Sequence, residues 1–149
     1  MATVRPLLPE DLTKGFFETL SNLHPSNMAP EDALQLFQNL PECVKTYVAV
    51  EDNGSVVGAA TLFVEQKFLH GGSKAGHVED VVTHKDHQGK GIGSLLQRHL
   101  IAEAKRFGCY KVLLDCKRNL IPFYGKFGYE VSDHHMRLNL QKLDKVAGK

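Results

Sequence analysis

The sequence contains no tryptophan and only three cysteines, Cys43, Cys109 and Cys116. Their spacing includes no C-x-x-C pair, so a structural zinc site is not expected. An odd number of separated cysteines suits a reducing compartment. Long hydrophobic runs are missing as well. Nothing approaches the roughly 18 apolar residues that span a bilayer. The first residues hold no apolar stretch of a secretory signal, and Ala147-Gly148-Lys149 matches no peroxisomal or retention tripeptide. A soluble, cytoplasmic protein is the expectation. Charge of one sign is scarce: the formal net charge is +1. No block of like charges forms a basic or acidic tail, so nucleic acid is not indicated as a partner. The eight histidines form no H-E-x-x-H or similar pattern, and His134-His135 would point apart in a strand. No metal is expected.

What is present suits one domain over residues 1–149, with 42% hydrophobic residues to fill a core. Val4–Leu8 reads as an opening strand. Pro9-Glu10-Asp11 reads as a helix start, with acids in the first turn and Phe16, Phe17, Leu20 and Leu23 at helical spacing. His24–Pro30 is a loop, and Glu31–Leu40 a second helix. Thr46–Val50 and Val56–Val64 are β-rich runs joined by Asn53-Gly54, a strong hairpin signal. Phe68–Ser73 reads as a turn and His77–Thr83 as a strand. Ile92, Leu95, Leu96, Leu100, Ala104 and Phe107 mark one face of a helix that Gly108 ends. Tyr110–Leu114 reads as a buried strand, Pro122–Phe127 as a short helix and Tyr129–Leu140 as a final strand. The order predicts a mixed α/β fold, with antiparallel pairs early and a crossover helix later.

The chemistry-bearing segment is Gln88-Gly89-Lys90-Gly91-Ile92-Gly93-Ser94, between a strand and the amphipathic helix. Its three glycines let backbone N–H groups converge. The helix start adds unsatisfied donors and partial positive charge. Together they suit a diphosphate. Walker A requires G-x-x-x-x-G-K-[ST], which is absent. The G-x-G-x-G spacing also differs from the dinucleotide fingerprint. An ordinary glycine-rich turn before a helix is the competing reading.

Gln88-x-x-Gly91-x-Gly93 resembles the acyl-CoA signature of the GNAT N-acetyltransferases. Five further stretches sharpen the likeness: Lys67–His70, Gly76–Val82, Gly108–Lys111, Leu114–Cys116 and Phe123-Tyr124-x-Lys126-x-Gly128. With them the sequence resembles, within that superfamily, the glucosamine 6-phosphate N-acetyltransferase family. The resemblance implies the GNAT fold: a central mixed, twisted sheet flanked by helices, with two parallel strands that splay apart. It implies a homodimer that binds acetyl-CoA and an amino-sugar phosphate and feeds UDP-N-acetylglucosamine biosynthesis. The cofactor would lie in the V, pairing with backbone along Val81, Val82 and Thr83, its pyrophosphate on Gln88–Ser94.

The same resemblance marks site residues. Glu79 and Asp80 become substrate-site acids, with Glu79 a proton relay; as strand neighbours they would point to opposite faces. Asp115 ends an apolar strand and could fix the amine through its side chain or its backbone carbonyl. Tyr124 would serve the CoA thiolate. Lys67 and His70, with Phe68 and Leu69 between them, flank a turn suited to a sugar phosphate, and Val81 also lines the substrate site. Arg137 is the phosphate-binding arginine expected in the last strand, reaching across the dimer. Two departures stand out. Leu120 occupies the place of a CoA-contacting asparagine, with Asn119 one position earlier, and the 24–30 loop lacks a threonine-rich string. Cys116 reads as a packed thiol, not a nucleophile. Direct attack in a ternary complex is the expected route. Acetylation of a protein or polyamine, or acyl-CoA sensing without catalysis, are the other readings.

Overall fold

Asn53-Gly54 turns the chain as its residue types require. Gly54 takes φ +88° and donates to Glu51 C=O at 2.9 Å, while Asn53 Oδ1 accepts the Ser55 N–H at 2.9 Å. The computed structural model describes residues 1–142. In it this hairpin joins β2 (Val44–Val50) to β3 (Val56–Gln66). With β1 (Thr3–Pro6), β4 (Lys74–Thr83) and β5 (Cys109–Leu114) they form a five-stranded sheet in the order β1-β2-β3-β4-β5. The first three pairs are antiparallel and β4–β5 is parallel. The helices are α1 (Phe16–Leu20), α2 (Pro30–Gln38), one-turn α3 (Leu69–Gly72), α4 (Ile92–Arg106) and α5 (Ile121–Gly125). The mixed α/β expectation holds, and α4 is the crossover that a parallel pair requires. The chain divides into two compact units, one of residues 1–114 with the whole sheet, the other starting at Asp115.

The first unit has a core on each sheet face. On one, Leu96, Leu100 and Ala104 of α4 pack on Leu62 and Val78. On the other, Leu7 and Phe16 cover Val48, Val56, Ala59 and Val82. Gly58 lets the start of α4 approach, because a Cβ there would stand 2.7 Å from Ile92 Cγ2. The sheet thus sets where the helix N-terminus sits.

The single helix expected from Pro9 is two pieces. A 3-10 turn, Pro9–Thr13, ends at Lys14, and Gly15 at φ +99° redirects the chain into α1. The turn is held by Asp11, wholly buried. Its carboxylate receives Arg5 Nη1 at 2.7 Å, Arg5 Nη2 at 2.9 Å and the Leu8 N–H at 2.8 Å. Burial pushes its pKa up, but the Arg5 and Leu8 hydrogen bonds outweigh that and hold it below the ordinary value. A depressed folded pKa gives stability that is present above the unfolded value and lost as pH falls through the folded one. Asp11→Ala therefore costs about 2–3 kcal/mol at neutral pH, less than a fully buried pair because Arg5 is partly exposed. Urea unfolding at pH 7 and pH 3 checks this, with the gap between variant and wild type narrowing at the lower pH.

The expected final strand, Tyr129–Leu140, is absent. The segment has no ladder partner and bends at Asp133. Val131, Met136, Leu138 and Leu140 are 69%, 91%, 68% and 67% exposed. Residue type alone cannot make a strand without a neighbouring edge to bond. The Ala147–Lys149 tripeptide lies outside the described residues.

Candidate active site

Pairing between β4 and the edge strand β5 stops before β4 ends. The parallel register ends at Val78↔Leu114, where β5 ends. Past it, β4 continues to Thr83, paired only with β3. His84 N–H bonds Val57 C=O at 2.8 Å on the β3 side. Val82, opposite Ala59, shares that side. Antiparallel pairing alternates, so Val81 and Thr83 present their N–H and C=O groups on the other edge, the one facing the opening. That edge can take an extended chain as an added strand.

A bulge sits in this stretch. Thr61 pairs with Glu79 and Ala59 with Val82, so β4 carries one residue more than β3. The extra residue is Asp80, at φ +52°. Regular alternation would put Val78 and Val82 on the same face, yet they belong to the two opposite cores. The expectation that Glu79 and Asp80 simply point to opposite faces fails here, because a residue in the left-handed region leaves the pleat. Both are exposed.

The loop after β4 follows at once. A 3-10 turn, Lys85–His87, leads to Gln88, extended at φ −66°, ψ 151°. Gly89 and Gly91 take φ +79° and +81°, and Gly91 is the N-cap of α4. The first bond of the helix runs from the Leu95 N–H to Gly91 C=O at 3.0 Å. The N–H groups of Ile92, Gly93 and Ser94 precede it and have no carbonyl inside the helix. Ile92 is 5% exposed and anchors the turn, whereas Gln88–Gly91 lie open. Gln88 Nε2 reaches Thr83 C=O at 3.5 Å, tying loop to strand edge. The exposed Lys90 adds a cation to this anion-ready surface.

Lys67–His70 stand at the other end of β4. Lys67 donates its N–H to Ser73 C=O at 3.0 Å, and its ammonium lies 3.3 Å from Glu65, which also meets His77 Nε2 at 2.9 Å. The His77 hydrogen bond first, against desolvation, then Lys67, hold the Glu65 pKa down. Lys67 is thus already ion-paired. His70, at φ +53°, stacks on Tyr110 with ring centroids 4.5 Å apart. Phe68 and Leu69 are 102% and 66% exposed. From Lys74 to Glu79 the strand rises roughly 17 Å at about 3.3 Å per residue. Within one chain, then, these residues do not join Glu79 and Asp80.

In the second unit, Asp115 follows β5 directly and is exposed. Its Oδ2 lies 3.1 Å from His135 Nδ1. Coil geometry, not periodicity, brings His135 to Asp115. Tyr124 is 8% exposed in α5, its ring edge-on to Phe123 and Tyr129. Burial, and then Cys116, raise its phenol pKa. Cys116 is exposed, not the packed thiol expected, because it stands beyond the strand end instead of on an apolar face. Asn119 and Leu120 fall in the 3-10 turn Arg118–Leu120. Arg137 is exposed and outside any strand.

Known proteins share this arrangement. The sequence is 38% identical over 130 residues to a probable glucosamine 6-phosphate N-acetyltransferase of Drosophila melanogaster, spanning 85% of this chain and 59% of that protein. It is 32% identical over 146 residues to glucosamine 6-phosphate N-acetyltransferase 1 of Dictyostelium discoideum, spanning 95% of this chain and 93% of that one. The crystal structure of glucosamine-6-phosphate N-acetyltransferase from Arabidopsis thaliana superposes with a TM-score of 0.89 at 30% identity, over 93% of this chain and 98% of that one. The pattern of the acetyltransferase (GNAT) family matches residues 10–129: the chain belongs to the acetyltransferase (GNAT) family.

Proposed function

We propose that this chain transfers acetyl from acetyl-CoA to the amine of D-glucosamine 6-phosphate, by direct attack in a ternary complex. One observation carries the acyl-CoA part: an unpaired strand edge and a diphosphate-ready loop stand in series, from Val81 to Ser94. Pantetheine is an extended chain with amide groups, and the edge at Val81 and Thr83 has the donors and acceptors to pair with it. The N–H groups of Ile92, Gly93 and Ser94 suit the pyrophosphate. Asp115 and Tyr124 supply a carboxylate and a phenol that stays protonated at neutral pH. Glu79 and Asp80 offer acceptors for sugar hydroxyls or the ammonium at the bulge. The relatives' names support the acceptor.

A homodimer fits this reading. Lys67 and His70 stand before the start of β4, too far from Glu79 and Asp80 to share one sugar phosphate with them. The 129–140 segment, which forms no strand in the described residues and carries Arg137, completes the site of a second copy. A thiol-release assay with glucosamine 6-phosphate, glucosamine and a lysine peptide tests the function. The expected kcat/KM for the 6-phosphate exceeds that for glucosamine by about 10²-fold, the worth of one or two charge-assisted phosphate contacts. Equal turnover of the two sugars would remove the phosphate site, and preference for the peptide would replace the acceptor.

A further inference from the structure

His87 closes the 3-10 turn Lys85–His87 and immediately precedes Gln88, where the glycine loop begins. Its N–H donates to His84 C=O at 2.8 Å. Its Nδ1 lies 3.4 Å from Glu51 Oε1, with both side chains partly buried. Glu51 belongs to the β2–β3 hairpin, where its N–H donates to Ser55 C=O and its C=O accepts the Gly54 N–H. The contact therefore ties the start of the loop to a turn distant in sequence. His87 Nδ1 is closed to solvent yet makes no hydrogen bond. A lone pair there would face a carboxylate, whereas a hydrogen there faces an acceptor. The other charges nearby are placed differently. His84 meets the ring edge-on, with centroids 5.8 Å apart. His84 Nδ1 accepts the Asp86 N–H at 3.2 Å and lies 3.8 Å from the Asp86 carboxylate. That nitrogen needs its lone pair to cap the turn, so its hydrogen belongs on Nε2 and the ring stays neutral. Lys14 and Glu18, one of each sign, line the groove beside both histidines. The Met1 ammonium is 3.7 Å from Glu51 and closer, 3.2 Å, to Asp52.

We propose that His87 is a positioning residue for the cofactor diphosphate, its protonated imidazole clamping Glu51 and so holding Gln88–Gly91 in the shape that presents the N–H groups of Ile92, Gly93 and Ser94; this rests on the reading of the loop as an acyl-CoA site. An imidazolium carries hydrogens on both nitrogens, so Nδ1 donates to Glu51 with opposite charges on the two groups. Partial burial keeps salt from screening that attraction fully. A neutral ring offers Glu51 an N–H in one tautomer only and without charge, and the clamp slackens. Histidine changes charge between about pH 5 and 8. The clamp is therefore closed at the acid end of that range and loose at the alkaline end. A ligand that needs the ordered loop binds the protonated protein more tightly, so its affinity falls as pH rises. By linkage, its binding at intermediate pH takes up a proton.

Calorimetric titration with dephospho-CoA and with pantetheine, from about pH 5.5 to 8, tests the assignment. Dephospho-CoA keeps the diphosphate but lacks the 3′-phosphate, a monoester whose own second ionisation falls in this window. Wild-type affinity for dephospho-CoA is expected to fall about tenfold across the range, while that for pantetheine stays level. His87→Gln and Glu51→Gln should each bind dephospho-CoA with one affinity at every pH, near the alkaline value of wild type. His84→Asn, which keeps an acceptor to cap the turn, should keep the wild-type slope. A His87→Gln or Glu51→Gln protein that binds more weakly but retains the slope overturns the proposal, because the contact would then be structural only. Loss of the slope in His84→Asn with its retention in His87→Gln overturns it too. A level wild-type profile, with dephospho-CoA still preferred over pantetheine, removes the proposal and leaves the acyl-CoA reading standing. Equal affinity for the two ligands at every pH removes both.

Discussion

Replacing Tyr124 by phenylalanine lowers kcat by about 10²-fold, the lower end of what a positioned acid contributes, and leaves both KM values within about twofold. The ring is 8% exposed and packs edge-on against Phe123 and Tyr129. Phenylalanine preserves that packing and removes only the hydroxyl. Burial raises the phenol pKa above its ordinary value, and Cys116 adds to the rise. The group therefore holds its proton across the neutral range and can give it to a departing thiolate. Because the pKa is raised, loss of this acid sets in only above about pH 10, the ordinary tyrosine value. Neutral pH leaves wild type at its plateau. The measurement is steady-state thiol release from pH 6 to 9, together with a melting curve to exclude unfolding. Unchanged turnover in Tyr124→Phe would take the hydroxyl out of the mechanism.

Much of the first unit was legible because local chemistry and tertiary structure agree. Asn53-Gly54 can hardly do other than turn. The apolar stripe from Ile92 to Phe107 has only one periodic reading, and it lies where expected, capped by Gly108 at φ +80°. The glycine loop was legible for the same reason: Gly89 and Gly91 occupy backbone regions that other residues avoid. What stayed hidden depends on partners distant in sequence. Asp80 gives no sign of a left-handed conformation. The bulge exists because β3 and β4 differ by one residue between fixed pairs, and no local propensity encodes that. Gly15 interrupts a helix whose apolar spacing runs straight through it. The 129–140 segment has strand-like residues at Val131, Met136, Leu138 and Leu140, but pattern cannot supply an edge to pair with. His135 meets Asp115 across a coil, where spacing says nothing.

The second large effect is expected at Gly91. Its φ of +81° lies in the left-handed region, and a Cβ there would meet nothing within 4 Å. Gly91→Val therefore introduces backbone strain without a clash. A β-branched residue in this region costs about 1–2 kcal/mol or more. The turn can relieve that strain by swinging Gly91 toward negative φ, which redirects the peptide ahead of α4 and the N–H donors that follow. Affinity for CoA is expected to fall about tenfold, matching 1.4 kcal/mol. Affinity for pantetheine, which lacks the diphosphate, should hold. Gly108→Val is the control, since Gly108 has φ +80° and equally open surroundings at the far end of α4 from the loop. It should lose comparable stability and keep its CoA affinity. Calorimetric titration of both variants with CoA and with pantetheine separates the outcomes. An equal loss for the two ligands in Gly91→Val would show that the loop does not hold the diphosphate. A selective loss for CoA would place the pyrophosphate on the N–H groups of Ile92, Gly93 and Ser94, with the extended β4 edge as the separate contributor to pantetheine binding.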